Sequence, residues 1–444
     1  MKTLSLLRHI KNSSFLKPLA VLGLFLALII FLASPMPKHA SAAAAESGPR
    51  IWLHQPHSLA VTHKGQPKLL ADLASRQAEP LSLVSGDFDE DGVADLIVGY
   101  GAPGGGLLAL HPGNLDAIAP QTTESWQAIA AGNFPPAFLD SATVSSLPAR
   151  PDFMAAGKLN ETGHTDLLIA TRGSNVLHVL AGDGHGHFGA PQAITLPGSV
   201  TALASGGFGA HSPFTRVLVG VAGPQQASLL LYSGSARGLV LVGNFAVPAP
   251  ASAIVLGDLD GDNLPDAAIV AGGQTLVLHS ASAKGQPALE TLSLPVAASS
   301  IVLGRFVFDR DPRLQMALLA PNGSVHIVAH SGFDSHFWTA DELQAMQKLR
   351  TRPNPLHRTA TSSEGWMVIE SLAEVAPFTD NLHPPLLLPL RISGHGEDDV
   401  VVLNQEAGQL AVVSRPGSKL GDKSFLPAQL SLRPYTGGSP VAVT

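Results

Sequence analysis

The chain of 444 residues contains no cysteine, and only 14% of its residues are charged. Without cysteine, neither disulfide bridges nor thiolate metal sites can contribute to the fold. The 34 acidic residues outnumber the 27 basic ones, and the body of the chain has no basic run, which argues against a nucleic-acid partner. Hydrophobic residues make up 45% of the chain, and this content excludes wholesale disorder.

Glycine and proline are abundant instead, with 44 and 35 residues. Their spacing has no fixed period, which excludes collagen and indicates many turns. A chain of this length holds two or three average domains or one large repetitive β-domain.

Residues 1–45 have the features of an export signal. Basic residues precede an uncharged apolar run from Leu19 to Ala33, and two A-x-A patterns follow at 40–42 and 43–45. The apolar run is shorter than the ~20 residues that span a bilayer. We therefore predict a cleaved signal peptide, with an uncleaved membrane anchor as the alternative. The body, residues 46–444, is then secreted or extracytoplasmic, and the absence of cysteine in an exported protein of this size indicates a bacterial source.

The body is predicted to be a repeat protein, because a strand, a glycine, an acidic loop and a second strand recur along it. The copies span residues 83–98, 154–169, 202–220, 254–269, 301–319 and 388–403. The first five copies are anchored by Gly86, Gly157, Gly206, Gly257 and Gly304. These glycines are separated by 71, 49, 51 and 47 residues, a spacing that suits four short strands and their turns. That unit is the size of a propeller blade.

The predicted fold is an all-β β-propeller with four-stranded blades. Residues 51–82 and 404–444 together would supply one more blade, which joins the two termini and removes exposed sheet edges. Seven blades are therefore favoured, with six as the alternative. A long gap between the fifth and sixth copies predicts an insertion at about 337–355. The capping box at 339–342 predicts a helix there, the one helix expected in the body.

Two acidic loops carry the candidate metal sites. Aspartates stand at positions 1, 3, 5 and 9 of each loop, and they are Asp87, Asp89, Asp91 and Asp95 in the first and Asp258, Asp260, Asp262 and Asp266 in the second. Four carboxylates in nine residues repel one another, so the folded loop requires a cation. Oxygen ligands in a flexible loop select Ca²⁺ over Mg²⁺. The position-7 carbonyl, from Val93 or Leu264, is the predicted fifth ligand.

The other copies depart from this aspartate pattern. Lys158 and Arg305 replace the first aspartate in the second and fifth copies, and Gly207 stands there in the third. We therefore expect two Ca²⁺ sites rather than five or six.

The segment from Gly86 to Leu96 resembles the FG-GAP/VCBS-type repeat found in the N-terminal propeller of integrin α-chains and in many exported bacterial proteins. A glycine-rich turn that ends in Phe188 and Gly189 is similar to a second signature of that family. The resemblance covers residues 81–330 and, more weakly, 386–403. It implies a propeller, calcium in the aspartate loops and a role in adhesion or ligand binding.

Three functions remain open from the sequence. The favoured one is a noncatalytic, calcium-binding module that binds a protein, a cell-envelope component or a cell-surface glycan. We expect a monomer that meets the membrane only through an uncleaved N-terminal anchor. A lectin-like propeller is the first alternative, although no tryptophan recurs at blade spacing. A polysaccharide-active enzyme is the second, although the sequence has no His-Glu-x-x-His, Gly-x-Ser-x-Gly or phosphate-loop motif.

Overall fold

The structure is a computed structural model, which describes residues 61–74, 78–208, 212–280, 287–310, 313–350, 365–375, 378, 384–392, 396–404, 409–413 and 428–431. These residues belong to one compact unit, Pro49–Thr444. The predicted signal or anchor, residues 1–45, lies outside the described residues. Within the described ranges, no helix is long and apolar enough to cross a membrane.

The strands form six sheets that follow one another along the chain, and we call them blades 1 to 6. In each blade, four consecutive strands pair antiparallel in chain order. Blade 1 contains β2 (Glu79–Gly86), β3 (Asp95–Ala102), β4 (Gly105–His111) and β5 (Ser141–Leu147), and a fifth strand, β1 (Thr62–Lys64), pairs parallel with β5. Blade 2 contains β6 (Phe153–Gly157), β7 (Asp166–Ala170), β8 (Val176–Leu180) and β9 (Gln192–Thr195). Blade 3 contains β10 (Ser199–Gly206), β11 (Arg216–Ala222), β12 (Ala227–Ser233) and β13 (Val240–Val247).

The second half of the chain repeats the same order. Blade 4 contains β14 (Ala251–Gly257), β15 (Asp266–Ala271), β16 (Gln274–His279) and β17 (Ala288–Thr291). Blade 5 contains β18 (Ser300–Gly304), β19 (Gln315–Leu319), β20 (Ser324–His330) and β21 (Trp366–Glu374). Blade 6 contains β22 (Leu386–Leu390), β23 (Asp399–Asn404), β24 (Gln409–Val413) and β25 (Ala428–Ser431).

The hydrophobic cores lie between successive blades. The second strands of blades 2 to 6 are short, mainly apolar runs that are buried on both faces, as in β7 and β15, whereas β3 of blade 1 alternates between buried and half-buried residues. Ile97 of blade 1 packs with Ile169 of blade 2, and Leu218 of blade 3 packs in the same way with Ile269 of blade 4. Burial of such side chains on both faces of a blade is the main driving force that stacks the blades.

The anchoring glycines end the first strand of their blades, as the repeat predicts, and the packing explains why they are glycines. First strands of successive blades contact each other. A Cβ atom on Gly157 would lie 2.5 Å from the Thr215 side chain in blade 3, and one on Gly257 would lie 2.5 Å from Leu314 in blade 5. A side chain at Gly157 would require the next blade to move, because Thr215 Cβ also lies 2.6 Å from that position, whereas at Gly257 the atom in the way is the end of a flexible leucine side chain.

The prediction of seven blades was wrong, because the described residues form six, the number given as the alternative. The described parts of the segments expected to share a seventh blade pair within their own ends of the chain instead. β24 and β25 extend the antiparallel sheet that β22 and β23 begin. β1, which has three residues, adds to the outer edge of blade 1 and covers β5 there.

The expectation of a single helix was also wrong. The described residues contain α1 (Pro67–Ala74), α2 (Leu115–Ile118), α3 (Thr123–Ala130) and α4 (Ala340–Arg350). α4 is the predicted helix, and its capping box is confirmed, since Thr339 N–H donates to Glu342 Oε2 at 2.8 Å and Glu342 N–H donates to Thr339 Oγ1 at 3.3 Å. α2 and α3 are too short for a clear helical period, although Asn114 and Thr122 mark their starts as N-caps.

Candidate metal centres and the loop face

The aspartate loops and the two helical insertions lie on the same face of the blades. Because the strands of a blade alternate in direction, the turn between strands 1 and 2 lies at the same end as the connection between strands 3 and 4. The aspartate loops are turns of the first kind, in blades 1 and 4. The insertions with α2 and α3 in blade 1 and with α4 in blade 5 are connections of the second kind. We call this end the loop face.

The loop of blade 1 brings three of its four aspartates together. Carboxylate oxygens of Asp87, Asp89 and Asp95 lie within 4.8 Å of one another. Ca²⁺ binds oxygens at about 2.3–2.6 Å, so ligands around one ion are separated by at most about twice that distance. Asp91 lies outside this group and shapes the turn, since its Oδ1 accepts the Val93 N–H at 2.8 Å.

The loop of blade 4 brings together the aspartates at positions 1, 3 and 5. Oxygens of Asp258, Asp260 and Asp262 lie within 4.8 Å of one another. The Leu264 N–H donates to Asp262 Oδ1 at 2.7 Å, the same turn that Val93 makes in blade 1. Asp266 belongs to a second group, described below, rather than to this one.

The position-9 aspartates have a structural role that the sequence analysis missed. Asp95 is fully buried, and its two oxygens accept the Phe88 N–H at 2.9 Å and the Gly113 N–H at 2.8 Å. Asp266 accepts the Leu259 and Ser280 N–H groups in the same way. These carboxylates therefore tie the acidic loop to the end of strand 3 through backbone hydrogen bonds.

The same carboxylate recurs in blades that lack the calcium pattern. Asp166 of blade 2 accepts the Leu159 and Gly182 N–H groups, each at 3.0 Å. Asp399 of blade 6 accepts the Ile392 N–H at 2.8 Å. In blade 5 the role passes to Gln315, whose Oε1 accepts the Phe306 and Val307 N–H groups. The signal was present in the sequence as an aspartate at the start of strand 2 in loops that lack the full aspartate pattern.

Burial first, and the charge of neighbouring carboxylates second, raise the pKa values of three loop aspartates. Burial, together with the charge of Asp95, raises the pKa of Asp89 above its usual value. Burial and the neighbouring Asp260 raise the pKa of Asp262. Burial raises the pKa of Asp266 to about 6, with a further contribution from Asp260. A bound cation would relieve this repulsion.

One oxygen of the first loop is buried without a partner. Asp87 Oδ1 is shielded from solvent and has no hydrogen-bond donor among the described residues. A buried carboxylate oxygen without a partner is costly, and an absent ion is one of its ordinary explanations. The residues of the blade 1 loop therefore fit a Ca²⁺ ion.

A histidine that the sequence analysis missed joins the blade 4 loop. His279 ends β16, and one of its ring nitrogens lies within 4.8 Å of carboxylate oxygens of Asp260 and Asp266. Its Nε2 lies 2.9 Å from Glu290 Oε2 on β17. His279 is 13 residues away from Asp266 along the chain, and only the pairing of β15 with β16 brings the two together.

The described residues form a six-bladed β-propeller with acidic side chains grouped in two loops of its loop face. No protein-family model matches the chain, and no curated protein matches it. The chain is similar to BBS1N in a crystal structure of its complex with ARL6DN, soaked with mercury, with 12% identity and a TM-score of 0.42 over 77% of this chain and 82% of that one. It is also similar to the Dos1 propeller, with 10% identity and a TM-score of 0.37 over 76% of this chain and 67% of that one. At these identities the likeness concerns the fold alone, and the resemblance to FG-GAP/VCBS repeats stays a prediction.

Proposed function

We propose that this protein is an exported, noncatalytic β-propeller that binds calcium in its aspartate loops and binds a protein partner on its loop face. The observation that carries the proposal is a group of exposed apolar side chains beside the first aspartate loop. Export is proposed from residues 1–45 of the sequence, as a signal or an anchor.

The exposed side chains lie in the blade 1 insertion, residues 112–140. Phe134 is 77% exposed, Ile118 71% and Trp126 58%, and Leu115 and Leu139 are also exposed. We call these five residues the insertion patch. Exposed apolar residues that occur singly are ordinary, but several large ones in one short segment mark an interaction surface.

The insertion is held against the first aspartate loop. The Gly113 N–H donates to Asp95 Oδ1, and Gly113 also pairs with Phe138 in an isolated antiparallel bridge. Asn114 Nδ2 donates to the carbonyl of Pro136 at 2.8 Å, which closes the base of the insertion. The patch is therefore attached to a loop whose geometry would depend on calcium.

The charge of the insertion indicates the chemistry of the partner. Residues 112–147 contain Asp116, Glu124 and Asp140 and no lysine or arginine. An apolar surface bordered by carboxylates complements a segment that has apolar residues on one side and lysine or arginine on the other. We propose a basic, amphipathic protein segment as the occupant of the insertion patch.

Calcium would be held in blade 1 by Asp87, Asp89 and Asp95. Asp87 Oδ1 could bind the ion without giving up a hydrogen bond, because it has no hydrogen-bond partner among the described residues. When bound, the ion supplies positive charge to crowded carboxylates and fixes the turn between strands 1 and 2. For a dissociation constant of about 0.1 mM, about 1 mM calcium would stabilise the fold by about 1.4 kcal/mol per site.

The aspartate loops also lie where one blade meets the next. The carbonyl of Asp258 accepts the Leu314 N–H of blade 5 at 3.3 Å. In blade 2 the carbonyl of Lys158, at the same loop position, accepts the Thr215 N–H of blade 3 at 2.8 Å. A cation that orders the loop of blade 4 would therefore also order its contact with blade 5.

The calcium part of the proposal is tested by thermal unfolding of the purified protein with millimolar calcium and with excess EGTA. We expect a higher Tm in calcium and a smaller shift in Asp87→Ala and Asp258→Ala. Equal Tm values in calcium and EGTA for the unmodified protein would contradict it.

The partner part is tested with a fluorescent amphipathic peptide of lysine and leucine, followed by anisotropy. We expect it to bind, and we expect Ile118→Ser with Phe134→Ser to abolish the binding. Phe337→Ser is the matched control, because Phe337 is exposed in the blade 5 insertion. A peptide with glutamate in place of lysine should not bind. Equal binding of both peptides, or binding that survives the double substitution, would overturn the proposed partner chemistry.

A further inference from the structure

The two aspartate loops differ in one ligand type. The group in blade 1 consists of carboxylates alone, whereas one group in blade 4 contains the imidazole of His279 with Asp260 and Asp266. Oxygen ligands suit Ca²⁺ and Mg²⁺, but imidazole suits Zn²⁺ and other first-row transition ions. The difference therefore bears on which ion each loop selects.

The difference follows from the residue that ends strand 3 or directly follows it. Gly113 in blade 1, Gly182 in blade 2 and Ser280 in blade 4 each donate an N–H to the buried position-9 carboxylate. The residues directly before them are Pro112, Ala181 and His279. Of these three, only His279 can offer a nitrogen ligand.

Glu290 is placed to orient the His279 ring as a metal ligand. Histidines that bind metals usually donate their other ring N–H to a carboxylate, which fixes the tautomer and turns the free nitrogen toward the ion. His279 Nε2 lies 2.9 Å from Glu290 Oε2, so the mixed site requires Nδ1 as the ligand atom. Glu290 lies on β17, outside the acidic loop, so this contact is independent of the crowding of aspartates.

A buried hydroxyl without a partner lies next to this group. Ser280 is 93% buried, and its Oγ has no hydrogen-bond partner among the described residues. Its own N–H donates to Asp266 Oδ1 at 2.7 Å, so Ser280 adjoins the group directly. A water, including one held by a bound ion, could satisfy this hydroxyl beside Asp266.

We infer that Asp260, Asp266 and His279 form a mixed oxygen and nitrogen site that binds a divalent first-row transition ion, with Zn²⁺ as the reference, in preference to calcium. The inference rests on the proposed metal-binding role of the blade 4 loop and names its ion. Asp260 belongs to both groups of the blade 4 loop, so the transition ion and calcium compete for it. The blade 1 loop, which has no imidazole in its group, keeps calcium.

The test is dialysis of the purified protein against buffer with millimolar calcium and micromolar zinc, followed by elemental analysis of both metals. We expect about one equivalent of zinc in the unmodified protein, because imidazole favours the transition ion. His279→Gln should lose that zinc. His326→Gln is the matched control, since His326 also lies on the third strand of its blade and contacts the fourth, through Ser371 at 2.9 Å, but has no part in the acidic loop.

A second readout reports on the nitrogen ligand. Co²⁺ in place of zinc should give a visible absorption band that His279→Gln abolishes. Glu290→Gln should keep the band in altered form and weaken Co²⁺ binding by about 10–100-fold. Both variants alter partly exposed side chains, so circular dichroism should show an intact fold.

The outcomes separate this inference from the proposed function. If calcium binds and zinc does not, or if His279→Gln keeps the zinc, the mixed site is refuted and the calcium proposal stands. If neither metal binds, both are refuted. If zinc binds with Ca²⁺ retained in the blade 1 loop, both are supported.

Discussion

Removal of the Asp166 carboxylate is the sharpest test of the structural role of the position-9 aspartates. Blade 2 lacks the calcium pattern, so Asp166 can be examined without a metal contribution. Its oxygens accept the Leu159 and Gly182 N–H groups, each at 3.0 Å, and the Asn160 side-chain amide, also at 3.0 Å. Asp166 itself is fully buried. Asp166→Ala would therefore leave donors without an acceptor where water has little access.

The magnitude follows from the donors that lose their partner. A buried N–H without an acceptor costs about 1–3 kcal/mol. Leu159 is fully buried and Gly182 partly buried, whereas the Asn160 amide can turn toward water. Because the Leu159 and Gly182 N–H groups would both be left without an acceptor, we expect the free energy of unfolding to fall by about 2–6 kcal/mol. The loss should be the same in calcium and in EGTA.

The assay is urea unfolding of the full protein, followed by circular dichroism in both buffers. Asp183→Ala is the matched control, because Asp183 also accepts two backbone N–H groups in blade 2, from His185 at 2.8 Å and His187 at 3.1 Å, but is solvent-exposed. Water can replace the carboxylate at this exposed position, so Asp183→Ala should lower the free energy of unfolding by less than about 1 kcal/mol. Equal losses in the two variants, or a loss for Asp166→Ala that appears only in calcium, would refute the reasoning.

Three further predictions concern the protonation of Asp266, the hydrophobic core and the contact between blades 2 and 3. Burial raises the pKa of Asp266 to about 6, whereas its value in the unfolded chain is near 4. In EGTA, the contribution of Asp266 to the free energy of unfolding is therefore largest below pH 4 and falls by about 3 kcal/mol as the pH rises through 6. Urea unfolding between pH 4 and 7 should show this fall, and Asp266→Asn should flatten it. Ile269→Ala should lower the free energy of unfolding by about 2–5 kcal/mol, and exposed Leu343→Ala should change it little, in the same assay. Gly157→Ala should lower the free energy of unfolding by about 1–3 kcal/mol, because the new Cβ would lie 2.5 Å from the Thr215 side chain. An unchanged Tm would show that blades 2 and 3 can move apart at this contact.

Features that depend on neighbouring residues were predicted correctly. The turn that joins strands 1 and 2 and the capping box at Thr339 and Glu342 involve contacts within a few residues of the chain, and the anchoring glycines were recognised from their place in the repeat. α2 and α3 were missed, although Asn114 and Thr122 are ordinary N-caps, because helices of four and eight residues leave little period to detect.

Features that depend on distant pairing were not predicted. The number of blades was misjudged because the sequence allows β1 to pair either with β5 or with strands at the other end of the chain. The three residues of β1 carry no pattern that distinguishes these two pairings. The metal ligands were only partly foreseen, because the sequence shows that aspartates are close in the chain but not which oxygens face one another.

The sequence by itself determined that the protein is a repeat of strand, glycine, acidic loop and strand, since hydrophobic alternation, turns and caps act over short distances. Only the packing in three dimensions sets the six blades that the described residues form and directs Asp95 and Asp266 to buried backbone N–H groups. It also placed His279 beside Asp260, and it left the insertion patch exposed. The physical reason is that strand register and blade packing bring together groups whose separation along the chain carries no information about their distance in space.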